Sequence, residues 1–210
     1  DLTSLSSQGP TVMKFGGTSV GDVAAFERVF HIVSTQIDKH PVVVVSAMTK
    51  VTDALLAAFE TAKKGDFAEA YSSLEPHFDR HRAVSEHFIS HDKPNAFNGE
   101  LEFARGELSD LLMRVTRRSL PLQMLKDAIV SYGEQLSSRL LAEVLKAKGV
   151  AARQVDSRRL IVTDDEYGAA APIIDETNEI VRLELEPLIA GGEVPILGGF
   201  IAANRAGETT

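Results

Sequence analysis

Cysteine is absent from the chain, so neither disulfides nor thiolate metal sites are available. No run of roughly 18 apolar residues occurs either, which leaves no candidate for a helical membrane span. Positive charge is scarce: Lys and Arg number 22 against 30 Asp and Glu, a formal net charge of −8. That balance disfavours nucleic acid and anionic membrane surfaces as partners, while leaving room for a local basic site that takes a phosphate. Residues Asp1–Pro10 lack a basic start and an apolar stretch. They read as a flexible tail rather than a secretory signal, and a cytoplasmic location is expected. The chain as a whole is 44% hydrophobic and 25% charged over 210 residues, which suits one globular domain or one domain cut short.

Against that background one stretch is dense in chemistry: Val12-Met13-Lys14-Phe15-Gly16-Gly17-Thr18-Ser19-Val20. A short apolar strand runs into two glycines and two hydroxyls, and a helical pattern begins near Asp22. Strand, glycine turn and helix together present backbone N–H groups to an anion. The glycines permit close approach of a ligand because no Cβ intervenes. Lys14, at the end of the strand, is placed to reach a phosphoryl group. The string is neither the nucleotide P-loop, whose Lys follows its glycines, nor the dinucleotide fingerprint, which needs a third glycine. Taken alone, it also fits a tight turn with a solvated lysine.

Periodicity orders the rest. Val23, Phe26, Val29, Phe30, Val33 and Ile37 predict an amphipathic helix over 22–38. The unbroken Val42–Val45 run predicts a strand covered on both faces, completing a βαβ unit in a parallel sheet. Ser46 and Thr52 follow at that strand's carboxyl end, where open parallel sheets bind ligands, although capping and turn chemistry is the ordinary use of such hydroxyls. A helix is expected over 53–64, then a helical region from about 66 to 119, broken into two at His91–Asn95. Pro121 opens a further helix to about Val130. Ser131 and Glu134, three apart and ahead of an apolar stripe, make a capping box for a new helix over 132–148; alternatively, Glu134 faces a pocket. Strands are predicted at 150–155 and 194–197, a short apolar piece at 160–163 and a helix over 175–189. Phe200 lies just past the last strand, as a core aromatic or a pocket wall. His77 and His81 have the i, i+4 spacing of a metal pair, but without the metalloprotease Glu they read as a solvated helix face. Asp164-Asp165-Glu166 reads as a solvated acidic loop rather than a cation site, and no metal site is expected.

The nine-residue string from Val12 to Val20 resembles the signature of aspartate kinases, within the amino-acid kinase family, at every position. The resemblance runs from about Thr11 to Thr210. It implies a three-layer α/β/α domain with a mostly parallel central sheet and a helical insertion at about 66–119. The chain would hold only the N-terminal, substrate-binding portion of that domain, the nucleotide-binding part lying beyond Thr210. The implied reaction transfers the γ-phosphoryl of ATP, with Mg²⁺, to the β-carboxylate of L-aspartate, the entry step of lysine, threonine and methionine synthesis. Lys14 is then catalytic, and Lys14, Gly16, Gly17, Thr18 and Ser19 receive phosphate. Ser46, Thr52, Glu134 and Phe200 form the aspartate pocket, Glu134 taking the α-ammonium, which favours the pocket over the cap. Arg205 does not occupy the position of the family's carboxylate-binding arginine. The segment alone is expected to be inactive or nearly so, and the whole protein a homo-oligomer. The alternatives are a kinase acting on glutamate or acetylglutamate, or a non-catalytic amino-acid-binding or interface module.

Overall fold

The computed structural model describes residues 9–89 and 95–210. The expected tail lies almost wholly outside them, as does most of the expected break at 91–95. Strands β1 (Val12–Phe15), β2 (Val42–Val45), β3 (Ala152–Gln154) and β5 (Val194–Gly198) form a four-stranded sheet in the order β1-β2-β5-β3, parallel throughout. Strands β4 (Val162–Thr163) and β6 (Ala203–Asn204) make a separate parallel pair. The valine run is central, as its lack of alternation predicts: Val43 and Val45 enter one core, and Val42 faces the other.

Two cores follow from that sheet. The larger joins Phe15, Val43, Val45 and Ile196 to helices α1 (Val23–Ser34) and α6 (Leu122–Ala147), and beyond α6 to α2 (Val51–Lys63), α4 (Glu75–Phe88) and α5 (Ala96–Arg117). The smaller packs Val42 and Leu197 against Leu185 and Ile189 of α7 (Ile174–Ala190). Helix α6 therefore has the sheet on one side and other helices on the other, and residues 131–138 are buried without a break. This is the expected three-layer arrangement, with the 67–117 helices stacked behind one outer layer. No helix among the described residues is long and apolar enough to cross a membrane.

The structure corrects the boundaries in three places. The first helix stops at Ser34, where the Ser34 and Thr35 hydroxyls donate to the carbonyls of His31 and Ile32 and compete with the helical ladder; a short 3₁₀ turn, Ile37–Lys39, follows. The 66–119 region holds three helices rather than two, because α3 (Phe67–Ser72) ends ahead of Pro76, which starts α4 from its first turn. Most consequentially, 122–147 is one helix. Ser131 caps nothing, and its Oγ donates to the Ala128 carbonyl in mid-helix (2.7 Å).

The solvated face expected at His77 and His81 is also absent. His81 is wholly buried, with Nδ1 2.7 Å from the His77 carbonyl oxygen and its ring stacked near Phe97. Helix α4 packs against α5 and α6, and Phe97 of α5 lies beside the ring. Burial pushes its pKa down to about 4 from 6.5. The folded chain thus refuses a proton that the unfolded chain accepts. The stability present above pH 6.5 is lost as pH falls toward 4, by about 3 kcal/mol in all. Circular-dichroism melts across that window should show a steep fall in Tm for the native chain and a flatter one for His81→Leu. Equal slopes would remove His81 as the acid-sensitive element.

Candidate functional site

The glycine turn divides its labour. Phe15 anchors β1 in the core, and Lys14 alternates to the opposite, exposed side. Gly16 has an extended backbone, and a Cβ there would meet nothing within 4 Å, so its open side is free for a ligand. Gly17 is different: a Cβ would lie 2.9 Å from the Ala47 carbonyl oxygen. Its missing side chain is used in packing the turn onto the loop after β2, not in approaching a ligand. Thr18 and Ser19 sit in the 3₁₀ turn Gly17–Val20, closed by Ser19 N–H donating to the Gly16 carbonyl (2.9 Å).

Ser46 continues from β2, its N–H donating to the Phe15 carbonyl (3.0 Å), so the glycine turn and the β2–α2 loop leave the sheet side by side. Neither Ser46 nor Thr52 caps α2. The residue before the helix is Lys50, left-handed at φ 66° and without a side-chain cap, and Thr52 lies inside the first turn. Glu134 reaches this loop from α6. Its Oε1 accepts from the Ala47 N–H at 3.2 Å, and its side chain is 8% exposed. Close approach is enforced by Gly133, where a Cβ would stand 2.7 Å from the Ala47 Cβ, and by Gly198, where it would stand 3.0 Å from the Glu134 Cβ. Burial raises the Glu134 pKa, the Ala47 N–H offsetting only part of the cost. Glu134 forms no ion pair among the described residues. The fork left by the Ser131–Glu134 spacing is resolved: this carboxylate faces a cavity and is no cap.

That cavity, about 390 Å³, is lined by Thr52, Lys126, Asp127, Glu134 and Phe200 among others. A neighbouring one of about 490 Å³ shares Asp127, Gly168 and Phe200. Phe200 is not a core aromatic: it is 86% exposed, in left-handed backbone at φ 56°, and its ring centroid is 4.7 Å from Lys14 Nζ. A bulky residue at positive φ is strained, and the gain visible here is a ring held under an ammonium group. Thus Lys14, Thr52, Glu134 and Phe200 converge on one end of the sheet. Ser46 enters the same loop cluster through its backbone, its carbonyl accepting from Ser137 Oγ (2.7 Å).

Sequence reasoning missed Lys126 and Asp127. Splitting α6 at Ser131 had moved them away from the pocket, whereas the continuous stripe Leu125, Ile129, Leu136, Leu140 already argued for one helix. Asp127 Oδ2 accepts from the Gly168 N–H (2.6 Å) and Oδ1 from Gln123 Nε2 (3.0 Å), tying the 164–170 loop to α6. In that loop Asp164 Oδ1 accepts from the N–H groups of Glu166 and Ala171, and Asp165 accepts from Asn204 Nδ2. Asp164 therefore orders a turn, while Asp165 and Glu166 stand exposed as expected from the sequence.

Residues 9–210 match the profile of the amino acid kinase family. The chain is 33% identical over 199 residues to lysine-sensitive aspartokinase 3 of Escherichia coli, covering 95% of this chain and 42% of that protein. It is 32% identical over 206 residues to the chloroplastic aspartokinase 1 of Arabidopsis thaliana, covering 95% and 35% respectively. The crystal structure of E. coli aspartokinase III in complex with aspartate and ADP superposes with a TM-score of 0.85 at 31% identity, over 96% of this chain and 43% of that one. The chain therefore spans under half the length of these relatives. A match over nearly all its residues, on a sheet and helix arrangement of the same kind, shows that the chain belongs to the amino acid kinase family.

Proposed function

We propose that the chain is the substrate-binding portion of an aspartokinase, which transfers the γ-phosphoryl of ATP to the β-carboxylate of L-aspartate. The observation that carries this reading is Glu134: a buried carboxylate with one N–H partner, no ion pair among the described residues and a cavity in front of it. Such a group is matched by an ammonium, and a charge-assisted bond there fixes a small amino acid by its α-nitrogen. The similarity to aspartokinases supports aspartate over glutamate or acetylglutamate.

In this reading Thr52, with Ser46 beside it, receives the amino acid's polar groups, and Phe200 closes one wall. Lys14 stands ready to leave the Phe200 ring for an oxygen of the transferred group, where it stabilises developing charge. Gly16, with the N–H groups of Gly17 and Thr18 beside it, leaves space for phosphate oxygens, while the Ser19 N–H closes the turn. Phosphoryl transfer asks for positioning and charge stabilisation more than covalent help, and these residues supply both for the acceptor side. Among the described residues no three His, Asp or Glu side chains converge as a metal cage. In this reading Mg²⁺ enters with the phosphates of ATP. Residues 11–210 form the acceptor-side portion of the domain, and the 67–117 helices its insertion.

Trapping of an acyl phosphate with hydroxylamine tests the reaction, with ATP and L-aspartate, L-glutamate or N-acetylglutamate. Run on the 210 residues and on the full reading frame, it should give aspartyl hydroxamate from the full frame, and Lys14→Ala should lower the rate by about a thousandfold. Absence of product with every substrate from the full frame would overturn the kinase reading.

Glu134 supplies a second test through pH. Its folded pKa is raised, so its favourable contribution to stability is complete below the ordinary carboxylate value of 4.5 and is lost as pH rises through the raised value. Glu134→Gln should therefore raise Tm at pH 8 and leave it unchanged at pH 4, while raising the KM for aspartate about 10- to 100-fold. A variant with lower Tm at pH 8 and unchanged KM would show that the carboxylate serves the fold instead.

A further inference from the structure

The loop from Ser46 to Lys50 is held from three directions. Helix α6 grips it through Glu134 and Ser137. The glycine turn grips it through Thr49, whose Oγ1 donates to the Gly17 carbonyl at 2.8 Å. Helix α4 grips it through Arg80, whose Nη2 donates to the Thr49 carbonyl at 2.5 Å. Thr49 is wedged in place, since a Cβ on Gly21 would stand 2.9 Å from its Oγ1.

Arg80 is unusual for an arginine on a helix. It is half-buried, Asp79 beside it pairs with Arg82, and Arg80 forms no ion pair among the described residues. Its Nε has no hydrogen-bond partner there, and its neighbours His77 and His81 bring no negative charge. Desolvating a guanidinium without a carboxylate is costly, and what it holds is a single backbone carbonyl.

The Gly17 carbonyl matters because of what is fused to it. In a planar trans peptide the carbonyl and the following N–H point in opposite directions. Pinning the Gly17 oxygen to Thr49 therefore aims the Thr18 N–H away from the β2–α2 loop, toward the open side of the turn. Without the Thr49 hydroxyl that peptide is freer to rotate, with a glycine on one side to permit it.

We propose that Thr49 and Arg80 are positioning residues for phosphoryl transfer. Arg80 fixes the Thr49 backbone, Thr49 fixes the Gly17–Thr18 peptide, and the relay sets the direction of a phosphate-facing N–H from a helix outside the pocket. The role in transfer rests on the kinase reading above; the relay itself rests on the bonds alone.

The test uses the full reading frame with Thr49→Val, Thr49→Ser, Arg80→Met and Arg80→Lys. Steady-state kinetics, thermal melts and amide hydrogen exchange over residues 16–20 are measured for each. Thr49→Val should lower kcat/KM for ATP about tenfold, the weight of one hydrogen bond, and leave the KM for aspartate within about twofold. It should also speed exchange in 16–20, and Thr49→Ser should restore both readouts. Arg80→Met should follow in the same direction with a smaller effect, and Arg80→Lys should recover part of it. Thr49→Ser as impaired as Thr49→Val, or a loss that follows Tm and touches both substrates equally, would overturn the proposal. If the native protein makes no acyl phosphate, the kinase reading fails by itself and exchange decides the relay. Faster exchange in Thr49→Val but not in Thr49→Ser sustains it, and unchanged exchange removes it.

Discussion

The bond from the Ala47 N–H to the Glu134 carboxylate is the constraint on which the site depends. It joins the longest helix to the loop leaving the central strand, across 87 residues of sequence. Three glycines exist in their present positions because of the closeness it requires. Gly133 lets α6 touch Ala47, Gly198 lets β5 end against Glu134, and Gly17 lets the turn after β1 lie on the Ala47 carbonyl. Replacing any of them by alanine sets a Cβ against atoms that cannot easily retreat, so their common effect would be to separate the two halves of the pocket.

The same bond has an energetic consequence. A carboxylate kept from water with one N–H donor is less stable charged than it would be in solution, as its raised pKa records. Phe200 carries a second cost, in left-handed backbone that a bulky side chain disfavours and with its ring mostly in solvent. Neither feature helps the fold, and both face the same cavity as Thr52. Strain and unpaired charge that gather at one cleft are better explained by what enters it than by the chain's own stability.

Much of this was legible in the sequence, for identifiable reasons. The parallel sheet could be read from the four valines because burial on both faces removes alternation. The passage from strand to tight turn at Lys14–Ser19 could be read because strand, glycines and hydroxyls are consecutive. Glu134 was harder, since Ser-x-x-Glu serves equally as a cap and as part of a continuous helix. Only the apolar stripe running through Ser131 distinguishes the two, and it makes Ser131 an interior residue. The exposure of Phe200 was not legible, because an aromatic after a buried strand is usually core and its φ depends on the turn it ends. His81 was misjudged because a polar residue in a polar helix gives no sign of the helices packed over it.

Arg80 and Thr49 illustrate a more general limit. Each has an ordinary local context: an arginine in a charged helix, and a threonine in a loop of hydroxyls. Their significance arises where α4 passes the end of β2, and no spacing along the chain encodes that meeting. Once they meet, elementary constraints do the rest. The Arg80 guanidinium, with no ion pair among the described residues, holds the Thr49 carbonyl, the Thr49 hydroxyl holds the Gly17 carbonyl, and peptide planarity converts that hold into the direction of an N–H. Helix α4 thereby gains a mechanical connection to the turn, which makes it part of the site's geometry although none of its residues lines the pocket.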